Sequence, residues 1–561
     1  MLNGKYYAAI TLGPIYETLN LATSPAGLWA ASGLFSCIAE VICRTITEKG
    51  GEIINPGFPE SCTGKDSLTL QDKGVGLFHD RIFFTCSAAG ANDIEKWIAD
   101  AKKAAAETTA DMIKGSYAGT EFDKGFEDLL EQFVQLHYVI CEQDTLAGKN
   151  VIYELSPYLD ALEFVAPYEG CKDRSMFLKR FFNGTKDAKS VYIRESKMVP
   201  LVGNTDYCKL FDVEEKSQNV MRHEIRDLED IADAGHRWKS DKLKRHRYFA
   251  VVKSDGDGMG KTLKYVIGGN KDKLNTFSSA CRDYLEKACK AVTKFGGMVI
   301  YAGGDDMLFL SPISYAEDGG PERSLLELLD ILRTLFEDSF TEVRKLIGTY
   351  NANRSEGDEY VAPPSVSFGV SMNYYKYPLN EAREEAEKNL LYGAKNIKGK
   401  DATVLTIRKG SGQQAKFAWK YGSPVQTEIK KFITDALSST DPAEKTKALH
   451  SVIYHMRGEK RITQGLLYDE TENAKSVYQI VIEDAARRGE EALGHAFDNL
   501  FDSDVQKQAG DYLEDIRKAL LEFEKEENRA ALEIVESQPY DLIVQMLWFA
   551  KFYTEKSGKE N

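Results

Sequence analysis

The sequence predicts an α+β fold of two ferredoxin-like palm domains, a middle α-rich region and a C-terminal helical domain. Three observations carry this. Residues 246–412 run strand, helix, strand, strand, helix, strand, the β-α-β-β-α-β order, with one helix and one strand added. Residues 1–118 repeat the opening of that unit in weaker form. From residue 413 onward the pattern is helical.

Each element follows from local pattern. In the first unit the apolar run Tyr6 to Leu12 reads as a strand ended by Gly13-Pro14, and a long helical stretch follows. The most apolar part, Ala26 to Cys43, contains Ser32, Ser36 and Glu40, which suits a packed amphipathic helix better than a membrane span. Glu52-Ile53-Ile54 is a short strand and Arg81 to Cys86 another. Asn92-Asp93 then precedes an Ala- and Lys-rich helix that ends near Gly115.

Residues 119–245 mix helical pattern with loops such as Asn183-Gly184-Thr185. They close on a basic run from Arg237 to Arg247, which is either a solvated approach to the next strand or an RNA contact with Trp238 as a stacking group. In the third unit Tyr248 to Lys253 is a strand. A helix from about Lys261 to Lys294 is interrupted at Gly268-Gly269-Asn270. Met298 to Ala302 and Met307 to Leu310 flank a tight Gly-Gly-Asp-Asp hairpin. A helix over 322–347, a strand Val366 to Met372, a helix Glu381 to Ala394 and a strand Thr403 to Arg408 complete it. Acidic helical faces such as Glu514 to Glu526 mark the tail as a solvated surface, with an apolar face available for docking.

Composition sets limits. The 561 residues suggest three or four domains at roughly 150 residues each. With 43% hydrophobic residues the chain can bury real cores. Its net charge of −15 argues against coating nucleic acid by general attraction. Nine cysteines without a C-x-x-C, and no signal-type N-terminus, predict a cytoplasmic protein with no membrane partner.

A repeat joins the two units. Lys5 to Ile10 matches Arg247 to Val252, which puts Gly13 where Asp255 stands, and Ile53 to Gly57 lies against Val299 to Gly303 with no acids after it. The first unit is thus a copy without catalytic acids.

The chemistry concentrates in the third unit. Asp255, Gly256, Asp257, Gly258, Gly260 and Lys261 lie between a strand and a helix. There a carboxylate can hold a hard cation, glycine N–H groups can approach phosphates, and a lysine supplies charge. Gly303, Gly304, Asp305 and Asp306 form the hairpin, which in a ferredoxin-like sheet lies beside the first strand, so Asp305 can face Asp255. Close carboxylates repel unless a cation sits between them, and two Mg²⁺ or Mn²⁺ ions would serve. Lys395, with Lys398 and Lys400, is placed to neutralise a triphosphate. Gly256 to Thr262 nearly spells a P-loop, but Asp255 occupies the first glycine position and the hairpin acids are foreign to that motif.

The strings AAITLGPI, GLWAASGLFS, YFAVVKSDGDGMGK, VIYAGGDDMLFLSP, SVSFGVSM and EEAEKNLLYGAKN leading to KDATVLTIRKGSG resemble the large palm-polymerase subunit of type III CRISPR–Cas effector complexes of the Cmr and Csm type. The resemblance is strong over 1–118 and 246–412. It implies an antiviral ribonucleoprotein subunit, working with sister subunits, guide RNA and target RNA, whose second palm polymerises ATP into cyclic oligoadenylate when target pairs with guide. By resemblance Asp255 and Asp305 are metal ligands, and Asp306 completes the acidic hairpin. Gly256 to Lys261 with Lys395 hold phosphates, and Asp257 is either a ligand or a loop acid.

Two departures matter. Many members open with an HD nuclease, whereas here the first palm begins at Lys5; His79-Asp80 lacks the companion histidines and reads as a turn leading into the strand RIFFTC. Many carry a four-cysteine zinc site, but Cys141, Cys171 and Cys208 are too dispersed, so no zinc is expected. Some relatives without the nuclease join AMP from ATP to S-adenosylmethionine, so both products stay open. A non-catalytic scaffold that binds guide RNA and sister subunits is opposed by the intact Asp255, Asp305, Asp306 and Lys261. A GGDEF-like cyclase acting on GTP is opposed by Met307-Leu308 after the hairpin acids.

Overall fold

The computed structural model describes residues 4–56, 78–88, 90–117, 131, 133–164, 227–236, 243–317, 320–439, 441–458, 460 and 529–555. Asn183 to Thr185, Arg237 to Lys239, Cys62, Cys171, Cys208 and Glu514 to Glu526 lie outside them.

The apolar run of the first strand is buried because the strand is internal. Strands β1 (Gly4–Gly13), β2 (Glu52–Asn55), β3 (Arg81–Ala88) and β4 (Gln135–Glu142) form an antiparallel sheet in the order β2-β3-β1-β4. Helices α1 (Ile15–Leu21), α2 (Pro25–Glu48) and α3 (Ala91–Tyr117) accompany it, and α2 starts where Ser24 Oγ accepts from Gly27 N at 3.1 Å. This is a complete ferredoxin-like unit. Its closing strand β4 lies beyond residue 118, where the sequence reading ended the unit; β4 is an edge strand of mixed polarity with no marked alternation. Helix α4 (Val151–Glu163) then covers the opposite face, packing Val151, Leu155 and Leu159 on Ala9 and Phe83. The short helix α5 (Leu228–Asp233) follows.

Strands β5 (Tyr248–Asp257), β6 (Met298–Gly303), β7 (Asp306–Pro312), the short pair β8 (Ser314–Tyr315) and β9 (Arg323–Ser324), β10 (Ser365–Tyr374), β11 (Ala402–Arg408) and β12 (Gln414–Lys420) build the second unit. Its six-stranded sheet runs β12-β11-β10-β5-β7-β6, so β5 occupies the place that β1 holds in the first sheet, as the repeat predicts. Strand β12 pairs antiparallel with β11 and carries the sheet past residue 412, the expected boundary.

The chain leaves β5 through the helical turn Met259–Lys261, breaks at Gly268, and restarts as α6 (Lys271–Lys294), capped by Asn270. The helix expected over 322–347 is two, α7 (Leu325–Ser339) and α8 (Thr341–Ala352), parted at Phe340. Helix α9 (Leu379–Lys388) precedes β11. Helices α10 (Pro424–Leu437), α11 (Pro442–Gly458), α12 (Arg529–Ile534) and α13 (Pro539–Thr554) follow the sheet.

One core lies between α13, α10, α11, α6 and α7 and one face of the second sheet. The other core joins the two units: Phe249, Val251, Ile300, Leu308 and Leu310 of the second sheet share it with α2, α3 and β1. Among the described residues one helix, Gly27–Glu48, is long and apolar enough to cross a membrane, and 76% of its most apolar window is buried inside the protein. That burial, with Glu40 fully enclosed, makes it the core helix the sequence predicts.

The described end of the basic run is locked into this fold. Arg245 bonds Glu322 through Nε at 2.7 Å and Nη2 at 2.6 Å and donates to the Tyr553 carbonyl, while Lys244 pairs with Glu555 at 2.8 Å. These side chains tie the start of β5 to α13, and Arg245 is buried in the joint. His236 and His246 also converge on Glu322, but their rings stack at 3.9 Å and 21°. Near-parallel rings do not aim their in-plane lone pairs at a common ion, so the cluster is a buried polar joint.

Candidate active site

Register brings the acids together. Ser254 of β5 pairs with Met307 of β7, and Gly303 with Asp306 across the hairpin, so the end of β5 and the turn Gly304-Asp305 meet. Gly304 adopts φ +64°, which lets the turn close tightly. Gly256 has no side chain for a steric reason: a Cβ there would lie 2.5 Å from Asp305 Oδ2 and 2.9 Å from its Cβ. Asp305 thus rests on the backbone beside Asp255.

Burial pushes the Asp305 carboxyl up to about 8, with Asp255 and Asp306 adding repulsion and Lys395 opposing it. Burial likewise raises Asp306 to about 7; Lys253 pulls it down while Asp255 and Asp80 push it up. Lys253 is itself paired with Glu387 at 3.1 Å. Asp306 Oδ1 is buried without a hydrogen-bond partner. An oxygen-only donor set, mutually repelling and with one orphaned oxygen, fits a hard divalent cation.

Asp255, Asp305, Asp306, Gly303 and Gly304 line a cavity of about 550 Å³. Met259, Leu263, Phe277 and Leu285 give it an apolar floor, and Ser278 and Arg282 of α6 stand at the same wall. Asn55 and His79 to Arg81 enter it from the first unit. A second cavity of about 940 Å³ shares Phe78, Asp80, Tyr301 and Asp306 with the first and opens toward Gly13, Tyr16 and Glu163.

The other expected residues go elsewhere. Asp257 is buried at the sheet: its Oδ2 accepts from Ser365 Oγ at 2.8 Å, Ser367 Oγ at 2.7 Å and the Asp401 N–H at 3.1 Å. That satisfies one oxygen of the carboxylate. Lys395 was expected on phosphate. Instead its ammonium donates to the carbonyls of Asp255 at 2.9 Å and Gly256 at 2.8 Å and to Asp257 Oδ1 at 2.7 Å, with Asp255 Oδ2 at 2.6 Å. Burial works against this charge, but Asp255 and Asp257 outweigh it and raise the Lys395 pKa. Lys261 is exposed and paired with Glu359 at 2.5 Å, outside the cavity lining. Gly258 and Gly260 carry the chain between β5 and this lysine.

Asp80 and Tyr301 escaped the sequence reading. The dipeptide His79-Asp80 is indeed a turn leading into β3, but it lies against the acidic hairpin: a Cβ on Gly303 would come within 2.9 Å of His79 Cβ. Burial and the four acids Asp306, Asp80, Asp305 and Asp255 push the Tyr301 hydroxyl well above its usual pKa. The dipeptide was the available signal; only the packing of the first unit on the second gives it a meaning.

Residues 248–404 match the family model of the Cas10/Cmr2 second palm domain. The CRISPR system Cmr subunit Cmr2 of Pyrococcus furiosus is 26% identical over 257 aligned positions, covering 38% of this chain and 27% of that protein. The chain therefore aligns with only about a quarter of that curated relative. Among solved structures, a Csm1–Csm4 cassette in complex with AMPPNP has TM-score 0.46 at 13% identity, covering 98% of this chain and 70% of that one. The type III-B Cmr-beta complex bound to cognate target RNA has TM-score 0.45 at 13% identity, covering 86% and 78%.

Proposed function

We propose, from the match of residues 248–404 to the Cas10/Cmr2 second palm domain, that this chain is the nucleotidyltransferase subunit of a cytoplasmic type III CRISPR antiviral complex. It would use ATP to make a nucleotide second messenger once target RNA pairs with the guide held by its sister subunits. The observation that carries this is the convergence of Asp255, Asp305 and Asp306 at one cavity, with Asp306 Oδ1 unpartnered.

In this reading Asp255, Asp305 and Asp306 would hold two Mg²⁺ or Mn²⁺ ions, which would supply positive charge to the transfer of AMP from ATP. The chain's own residues do the positioning. The floor of Met259, Leu263, Phe277 and Leu285 takes the base. The main chain from Gly256 to Gly260, with Gly303 and Gly304, approaches the phosphates closely because it lacks most side chains. The first unit walls one side of the cavity through Asn55 and His79 to Arg81. The expected test is pyrophosphate release from ATP with Mg²⁺ or Mn²⁺, abolished in D305A/D306A. Full activity in that double variant would refute the assignment.

The acceptor divides the proposal. Family resemblance favours a second ATP and hence cyclic oligoadenylate. A second reading has its own observation: the larger cavity is lined by Glu17, Asp80, Asp160, Glu163, Asp306 and Glu387, against Lys253 and Arg383 and with Arg81 paired to Asp160 and Glu163. So acidic a wall repels a triphosphate and attracts a cation, which favours S-adenosylmethionine as acceptor for AMP. Mass spectrometry of products from the assembled complex with target RNA and ATP decides. A product that requires S-adenosylmethionine selects the second reading, and cyclic oligoadenylate formed without it selects the first.

A further inference from the structure

Four oxygens surround Lys395 Nζ at 2.6 to 2.9 Å: two main-chain carbonyls of β5, Asp257 Oδ1 and Asp255 Oδ2. An ammonium has three protons. The carbonyls of Asp255 and Gly256 and the Asp257 carboxylate take all three as hydrogen bonds. Asp255 Oδ2, the nearest oxygen at 2.6 Å, shares the same ammonium as a fourth partner. It also belongs to the more exposed carboxylate, 37% accessible against 6% for Asp257. Lys395 thus has one buried shell, the strand carbonyls with Asp257, and one contact to an exposed carboxylate that it can give up while keeping three hydrogen bonds.

The fixed shell is itself braced. Asp257 Oδ2 accepts from two serines of β10 and from the N–H of Asp401. Residues Lys400 and Asp401 sit at φ 54° and 51°, and Arg333 grips the Asp401 carboxylate with two bonds of 2.8 Å. Nothing in this arrangement points the lysine outward toward a triphosphate.

We infer that Lys395 is the resident counter-ion of the acidic site: anchored on Asp257, it neutralises Asp255 in the free protein and yields that carboxylate to an incoming divalent cation without leaving its anchor. This rests on the metal reading above. Lys395 is then a positioning residue that competes with the metal. Its removal strengthens metal binding even as it spoils the geometry that turnover needs.

The test measures Mn²⁺ binding to the full chain without nucleotide, by the paramagnetic resonance signal of free Mn²⁺ and by the Mn²⁺-induced rise in melting temperature. K395Q keeps amide donors for the strand carbonyls, K395M removes them, and K395R keeps the charge. The inference expects K395Q and K395M to bind Mn²⁺ about tenfold more tightly than wild type, with K395R near wild type and pyrophosphate release lost in the first two. If K395M does not fold, K395Q decides alone. Unchanged or weaker Mn²⁺ binding, with ATP affinity reduced, would overturn the inference and return Lys395 to the phosphates. If wild type itself bound no Mn²⁺ and released no pyrophosphate, the metal reading would fail, and this inference with it.

Discussion

Arg333 and Asp401 meet fork to fork, Nε to Oδ1 and Nη2 to Oδ2, both at 2.8 Å. The contact fastens a turn whose two consecutive non-glycine residues, Lys400 and Asp401, have positive φ. The pair is about one quarter exposed, so its own contribution is modest. R333M should cost about 1 kcal/mol in urea unfolding, and R333K, which loses the planar fork, should recover only part of it. Because the Asp401 N–H also fixes Asp257, pyrophosphate release should fall by more than the stability change explains.

Gly256 tests the placement of Asp305. In G256A the new Cβ displaces a carboxylate by roughly 1 Å, a shift that costs on the order of 100-fold in rate. Circular dichroism should change little, while the melting temperature should fall modestly, since the new Cβ also meets Asp305 Cβ at 2.9 Å and Met259 Cε at 3.0 Å. A variant with normal pyrophosphate release would show that Asp305 does not need its present position.

Glu322 is the joint between the start of β5, α13 and the histidine pair. Its side chain is 8% accessible and that of Arg245 is 5%. E322A strands a buried guanidinium and should cost about 3–5 kcal/mol, read by urea titration. A loss near zero would mean water reaches Arg245.

Lys409 gives a pH signature. Burial pushes its ammonium down to about 8, and Glu555 at 3.7 Å only partly opposes this. In the unfolded chain it titrates near 10.5. Between these values the unfolded state binds more protons, so this group makes stability rise with pH, and below the lower value its buried charge is a standing cost. The Trp548 ring, 3.9 Å from the ammonium, offsets part of that. K409M should therefore melt a degree or two above wild type near pH 7, with the gap closing between about pH 8 and 10.5. A gap that widens with pH would contradict the assignment.

What the sequence disclosed follows a physical rule. The inner strands β1, β5 and β7 are buried on both faces, so YYAAITL, YFAVVK and MLFLS announce themselves as apolar runs. The edge strands β4 and β12 mix polar and apolar residues, and both unit boundaries were placed short of them. The hairpin acids were visible because turn and charge coincide in four residues. The true partners of Lys395 were not, since two are main-chain carbonyls that leave no mark in residue identity. Asp80 was hidden for another reason: the acids it meets at the site, Asp255, Asp305 and Asp306, stand more than 170 positions away along the chain.

The apolar joint between the units also limits how this molecule can be taken apart. Phe249, Val251, Ile300, Leu308 and Leu310 face α2 and its neighbours rather than water. A fragment trimmed to the catalytic half would bare that surface and clump through it. The first unit, which carries Gly13 where the second carries Asp255, is therefore the other half of a shared interior, and substitutions on its side of that interior should lower the stability of the second unit as well.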